Sequence, residues 1–117
     1  MRKESQRYLD DVVQASAAIG EFCSGKSFAV YTSSILMRSA VERKVGIVAE
    51  ALLQLEVVDA ETFARIPDAR QIASLRDYLV EGYAQIENDK IWAFAQSDLL
   101  ELTATVTKLL AGDSARS

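Results

Sequence analysis

Apolar residues recur along most of this chain at spacings of three and four, the period of helices with one buried face. Tyr8, Leu9, Val12, Val13, Ala15, Ile19, Phe22 and Cys23 mark a first helix over about residues 3–23, with Glu4, Asp10, Asp11 and Gln14 on its other faces. Ser24-Gly25-Lys26-Ser27 breaks the pattern, and Gly25 suits the left-handed residue that commonly ends a helix. Phe28 to Thr32 is aromatic and β-branched, but no second strand is available to pair with it, so a tight connection or an early helical turn is expected. A second helix is predicted from a cap at Ser33 or Ser34 to Leu55, with Leu36, Ala40, Ile47, Val48, Ala51, Leu52 and Leu55 on its apolar side.

The register lapses near Val57. Asp59-Ala60-Glu61-Thr62 then reads as a short helical turn ending near Arg65. Ile66-Pro67-Asp68 is expected to open a third main helix, Pro67 being tolerated in a first turn where its missing N–H has no helical partner. Ile72, Leu75, Leu79 and Tyr83 carry that helix over residues 69–85. Glu87-Asn88-Asp89 caps a fourth helix, whose stripe runs from Ile91, Trp92, Phe94 and Ala95 through Leu99, Leu102 and Val106 to Leu109 and Leu110. Gly112 is expected to end it, leaving residues 113–117 as a disordered tail. The predicted architecture is all-α: one domain over residues 1–112, an antiparallel up-and-down bundle of four main helices plus a short helical turn.

Composition narrows the chemistry. The 117 residues suffice for one domain with its own core. The lone cysteine excludes an intrachain disulfide and a Cys-rich metal site, and a reducing cytoplasm is the simplest location. The absence of histidine removes the usual imidazole metal ligand and the one side chain that titrates near neutrality unaided. A net charge of −4 disfavours sequence-independent nucleic-acid binding over the surface as a whole, while leaving room for a local basic patch. No apolar run approaches the ~18 residues of a membrane span, and the N-terminus lacks the apolar block of a signal peptide.

The most informative stretch is Arg76-Asp77-Tyr78-Leu79-Val80-Glu81-Gly82-Tyr83. It resembles the Arg-x4-His-x-Tyr motif of HepT-like HEPN proteins. Tyr8-Leu9-Asp10-Asp11-Val12 with Ile19 through Gly25 is similar to that family's opening helix, and Ala40-Val41-Glu42-Arg43 to Ala49-Glu50-Ala51 to its second. Ile66-Pro67 precedes the motif, and Ile91-Trp92 with Asp98-Leu99 follows it, at the family's distances.

The resemblance implies a HEPN-like bundle that forms a homodimer. In the family, Arg and His of two protomers face a shared cleft and cut RNA without a metal or other cofactor. Such proteins are toxins of toxin–antitoxin pairs, whose partner, an MNT-type nucleotidyltransferase, silences them by transferring AMP to the motif tyrosine. Carried across, Arg76 matches the catalytic arginine and Tyr83 the AMP acceptor, while Arg43, Glu50 and Asp77 fall at cleft-lining positions. This chain departs from the motif at the histidine, which is Glu81, and at the usual asparagine, which is Asp77; Ala49 and Asp68 replace the family's Gly and Trp.

The replacement matters chemically. Cleavage needs a base for a 2′-OH, charge stabilisation at phosphorus and a proton for the departing oxygen. Histidine serves either proton role near pH 7, and arginine suits the electrostatic one. A glutamate, with a reference pKa near ~4.3, accepts protons weakly and rarely donates them. Asp77 and Glu81 stand four residues apart on one helical face, where they repel each other and an approaching phosphate. Three readings follow: an ion pair of Arg76 and Glu81 at a protomer interface without chemistry, a nuclease with altered or residual activity, or another ligand such as a divalent cation on Asp77 and Glu81. Cys23 is expected in the core, and Trp92 and Phe94 against neighbouring helices.

Overall fold

The computed structural model describes residues 1–82 and 85–116, with side chains described through residue 112. The elements are α1 (Lys3–Cys23), α2 (Phe28–Ser33), α3 (Ile35–Val58), α4 (Ala60–Ala64), α5 (Ala69–Ala73), α6 (Leu75–Glu81), α7 (Asn88–Ala93), a π-helical segment (Phe94–Asp98) and α8 (Leu99–Arg116). No strand occurs among the described residues, so the fold is all-α.

Local chemistry explains most boundaries. The α2 and α3 starts are capped by serine hydroxyls, Ser27 accepting from the Val30 N–H and Ser34 from the Met37 N–H. Gly25, at φ 71°, makes the left-handed turn between α1 and α2. Asp59 caps α4, and its carboxylate also receives hydrogen bonds from the Ser5 and Thr62 hydroxyls, each at 2.7 Å. That clamp joins the first turn of α1 to the end of α3, so the two long helices run antiparallel.

Along α1 the buried positions are Ser5, Leu9, Val12, Ser16, Ile19 and Cys23, alternating steps of four and three, with Ala15 beside them. They pack against Val41, Val45, Val48, Leu52 and Leu55 of α3. Ile91, Leu102 and Val106 complete the core from the C-terminal helices. Trp92 lies 5.3 Å from Tyr31 and 6.2 Å from Phe28, ring centre to ring centre, fixing α7 against α2. Cys23 is buried, as expected.

Four expectations are corrected. Pro67 does not begin a helix: it sits in a turn followed by Asp68 at φ 59°, and helix resumes only at Ala69. The third main helix is not continuous over residues 69–85. It breaks at Ser74, whose hydroxyl bonds back to the Gln71 carbonyl, and α6 stops at Glu81. Gly112 does not terminate the last helix, which continues to Arg116; a mid-helix glycine costs only about 1 kcal/mol relative to alanine. The fourth helix also differs in character, because residues 94–98 are π-helical between α7 and α8.

Candidate active site

The motif helix α6 lies antiparallel along α3. Two contacts define the register: a methyl placed on Gly46 would meet Leu79 Cδ1 at 3.8 Å, and Arg76 Nε stands 3.3 Å from Glu50 Oε2. Arg70 of α5 pairs with Glu56, extending the same seam towards the end of α3. Thus Arg76 and Glu50, 26 positions apart in sequence, are brought together.

Arg76 has a second carboxylate partner. Its Nη1 donates to Asp77 Oδ1 at 3.2 Å. Arg76 and Glu50 each keep 46% of their side-chain surface exposed, so the guanidinium is oriented by two anions yet still presents N–H groups to solvent. Glu81, one turn beyond Asp77, is exposed and has no hydrogen-bond or ion-pair partner among the described residues. Arg76 therefore does not pair with Glu81 within the chain. One cation stands with three carboxylates, Glu50, Asp77 and Glu81, on the motif surface. Arg43 is exposed on α3, one heptad before Glu50, and no ion pair holds it among the described residues. Tyr83 lies outside the described residues. No group of three or more His, Cys, Asp or Glu residues placed to hold a metal ion occurs among the described residues.

Tyr78 is a participant that sequence reasoning missed. Its hydroxyl accepts a hydrogen bond from the Glu87 N–H at 2.7 Å, and the Lys90 ammonium lies 4.6 Å from its ring centre. The tyrosine thereby ties the motif helix to the start of α7. An aromatic residue at a variable position of a motif and nine positions before a cap offers no local periodic signal for this role.

A cavity of about 760 Å³ opens on the opposite side of α6, between α5–α6 and the π segment with α8. Ile72, Leu75, Phe94 and Leu102 form its apolar lining, and Tyr78 and Lys90 stand at its edge. Arg76, Asp77 and Glu81 do not line it, so this cavity and the charged side chains of the motif are separate features.

The strongest pKa perturbations also lie elsewhere. Burial pushes the Tyr31 phenol upward, with Glu42 and Cys23 adding to the rise and Arg38 opposing it. Burial likewise raises Glu42, against Arg38, and raises the Cys23 thiol. These groups serve the α1–α2–α3 packing.

The family model for ribonuclease HepT-like proteins matches residues 12–109. The chain belongs to the HepT-like family. It is 26% identical over 110 residues to a Methanocaldococcus jannaschii protein named "Gamma-glutamylcyclotransferase and putative RNase", covering 94% of this chain and 49% of that one. It is also 26% identical over 108 residues to a Caldanaerobacter subterraneus subsp. tengcongensis protein named "Putative RNase", covering 92% of this chain and 96% of the relative. The HepT-like chain thus spans about half the length of the first relative and nearly all of the second. No solved structure matches it significantly. Among the described residues, no helix is long and apolar enough to cross a membrane.

Proposed function

We propose that this HepT-like chain is a homodimeric HEPN protein of a toxin–antitoxin pair whose RNA-cutting centre is weakened, and that it acts as partner and AMP-acceptor substrate of an MNT-type nucleotidyltransferase in the cytoplasm. The observation that carries the reading is the surrounding of Arg76. An RNA-cleaving arginine needs free N–H donors aimed at a phosphate; here Glu50 and Asp77 already occupy two, and exposed Glu81 stands where the family has an imidazole. The excess of carboxylates repels a polyanionic substrate, whereas transfer to a tyrosine requires only that the phenol be reachable by the partner. In that reaction the Tyr83 oxygen attacks the α-phosphorus of ATP, a P–O bond forms, pyrophosphate leaves and the phenolic proton passes to solvent or a base.

Incubating the chain with the nucleotidyltransferase encoded beside it and ATP tests this. The expected result is a mass gain of one or more AMP units on Tyr83, abolished by Tyr83→Phe. Absence of both a complex and a mass gain overturns the proposal.

The names of the two relatives favour a second reading, an active endoribonuclease using Arg76 for charge stabilisation and Glu81 as base. Its signature is RNA cutting unaffected by chelator and lost in both Arg76→Ala and Glu81→Gln.

A further inference from the structure

Three places where the chain leaves regular helix meet at one concavity. Asp68 holds a positive φ of 59°, a conformation rare outside glycine. Ser74 marks the break between α5 and α6, and Phe94–Asp98 is π-helical. Asp68, Ser74, Phe94 and Asp98 all line the cavity of about 760 Å³ beside α6. Such departures cost free energy relative to a continuous helix, and they gather where a fold holds a ligand.

The cavity has the size of a small-molecule site, for which roughly 300–1,000 Å³ is usual. Its floor is apolar and dry: Ile72, Leu75, Phe94 and Leu102 are all buried. Its rim is acidic. Asp68 stands on the α5 side and Asp98 with Glu101 on the α8 side, all three exposed and without a side-chain partner among the described residues. The cation that lines the same cavity, Lys90, already rests over the Tyr78 ring. Three unpaired carboxylates against one engaged ammonium leave the mouth anionic, so it attracts positive charge and repels phosphate. These carboxylates are not gathered on one point, because no group placed to hold a metal ion occurs among the described residues. An apolar floor beneath spread-out anions suits a charge carried on an organic body.

We propose that this cavity binds a small organic cation, an amine or guanidine on an aliphatic or aromatic body. The body displaces water from the floor, and the charged head stays at the rim with Asp98 and Glu101 as counter-ions. Leu75 and Tyr78 set the ligand against α6, on the side away from the Arg76–Glu50 pair. The site requires neither a dimer, AMP transfer nor RNA cutting.

Titration of the 15N-labelled full chain with phenethylammonium, followed by amide NMR shifts, tests it. Phenylacetate, an anion of similar size and shape, is the control. Saturable shifts are expected at Ile72, Leu75 and Leu102, with a Kd of about 1 mM or tighter and roughly tenfold weaker binding of phenylacetate. Asp98→Asn/Glu101→Gln, at two exposed positions, should weaken phenethylammonium about fivefold. Ala104→Trp, which puts an indole at the cavity wall, should abolish binding with helical circular dichroism unchanged. No saturable shift, equal affinity for phenylacetate, or wild-type affinity in the Asp98→Asn/Glu101→Gln variant overturns the proposal. Shifts of the same amides on raising protein concentration without ligand also overturn it, since a second copy then covers the cavity.

Discussion

Replacing Asp59 should cost more than any other substitution of an ionised residue that the geometry exposes to test, because one carboxylate serves three donors. Its Oδ1 accepts from the Thr62 N–H at 3.1 Å, and its Oδ2 accepts from the hydroxyls of Ser5 and Thr62 at 2.7 Å each. Ser5 is fully buried and Thr62 is 8% exposed, so neither hydroxyl can simply turn to bulk water. Asp59→Asn keeps the cap to Thr62 N–H but points an NH2 group at two O–H donors. Hydrogen bonds to a charged group contribute about 1.5–3 kcal/mol, and some reorientation is expected, so a net loss of ~2 kcal/mol follows. Asp59→Ala also loses the cap, worth about 1 kcal/mol more. Urea denaturation followed by the fluorescence of Trp92, the sole tryptophan, measures both. With a slope of roughly 1.5 kcal/mol/M, the midpoint of Asp59→Asn should fall by about 1.3 M and that of Asp59→Ala by about 2 M. Ser5→Ala combined with Asp59→Asn should cost less than the two separately, since they share one network. An Asp59→Asn protein within ~0.5 kcal/mol of wild type, or strict additivity with Ser5→Ala, would refute the clamp.

The same clamp has a pH signature. Burial alone would raise the Asp59 carboxyl, but the Thr62 and Ser5 hydrogen bonds and the Arg2 charge outweigh it and hold the group below the ordinary carboxylate range. Its contribution is therefore complete above the unfolded value of ~3.9 and disappears as pH falls through the lower folded one, so wild type and Asp59→Asn should stay separated from pH 5 to 7 and begin to converge only as pH drops below about 4. Tyr31 is fully buried with a hydroxyl that has no hydrogen-bond partner among the described residues, so Tyr31→Phe should stabilise the protein by up to about 1 kcal/mol in thermal unfolding; a loss of that size would mean the hydroxyl is satisfied. Arg76→Ala should change stability by less than ~1 kcal/mol, because both its ion pairs are half-exposed, and a larger loss in urea unfolding would contradict a surface role. Glu81→His should raise chelator-resistant RNA cutting at least tenfold if one side chain separates this protein from an active centre; an inert variant would place the defect in the Glu50 and Asp77 grip on Arg76 as well.

The position of Arg76 decides how strongly each functional reading is drawn. On the sequence it is one member of a linear motif, and Glu50 is a polar position one helix away. In the fold, antiparallel packing of α6 on α3 converts them into a pair, with Asp77 as a second anchor. The same packing keeps Arg76, Asp77 and Glu81 off the 760 Å³ cavity, which touches α6 through Leu75 and Tyr78.

Period and capping chemistry, which act within a few residues, determined the helical class, the limits of α1 and the serine cap of α3. Membership of the HepT-like family was likewise legible, since the resemblance is written in short stretches of sequence. Contacts between distant segments were not. Ser5 and Ser16 look polar in the sequence, yet they occupy core positions of α1, and Ser5 is tolerable there because Asp59, 54 residues later, accepts its hydrogen bond. The break at Ser74, the π segment at residues 94–98 and the left-handed Asp68 depend on how the chain must turn to lay α6 on α3 and α8 on α1. Helix period is a local free-energy preference that a short window of sequence already contains. The partner of a buried hydroxyl or of a guanidinium is selected by the packing of whole helices, and only the tertiary structure holds that information.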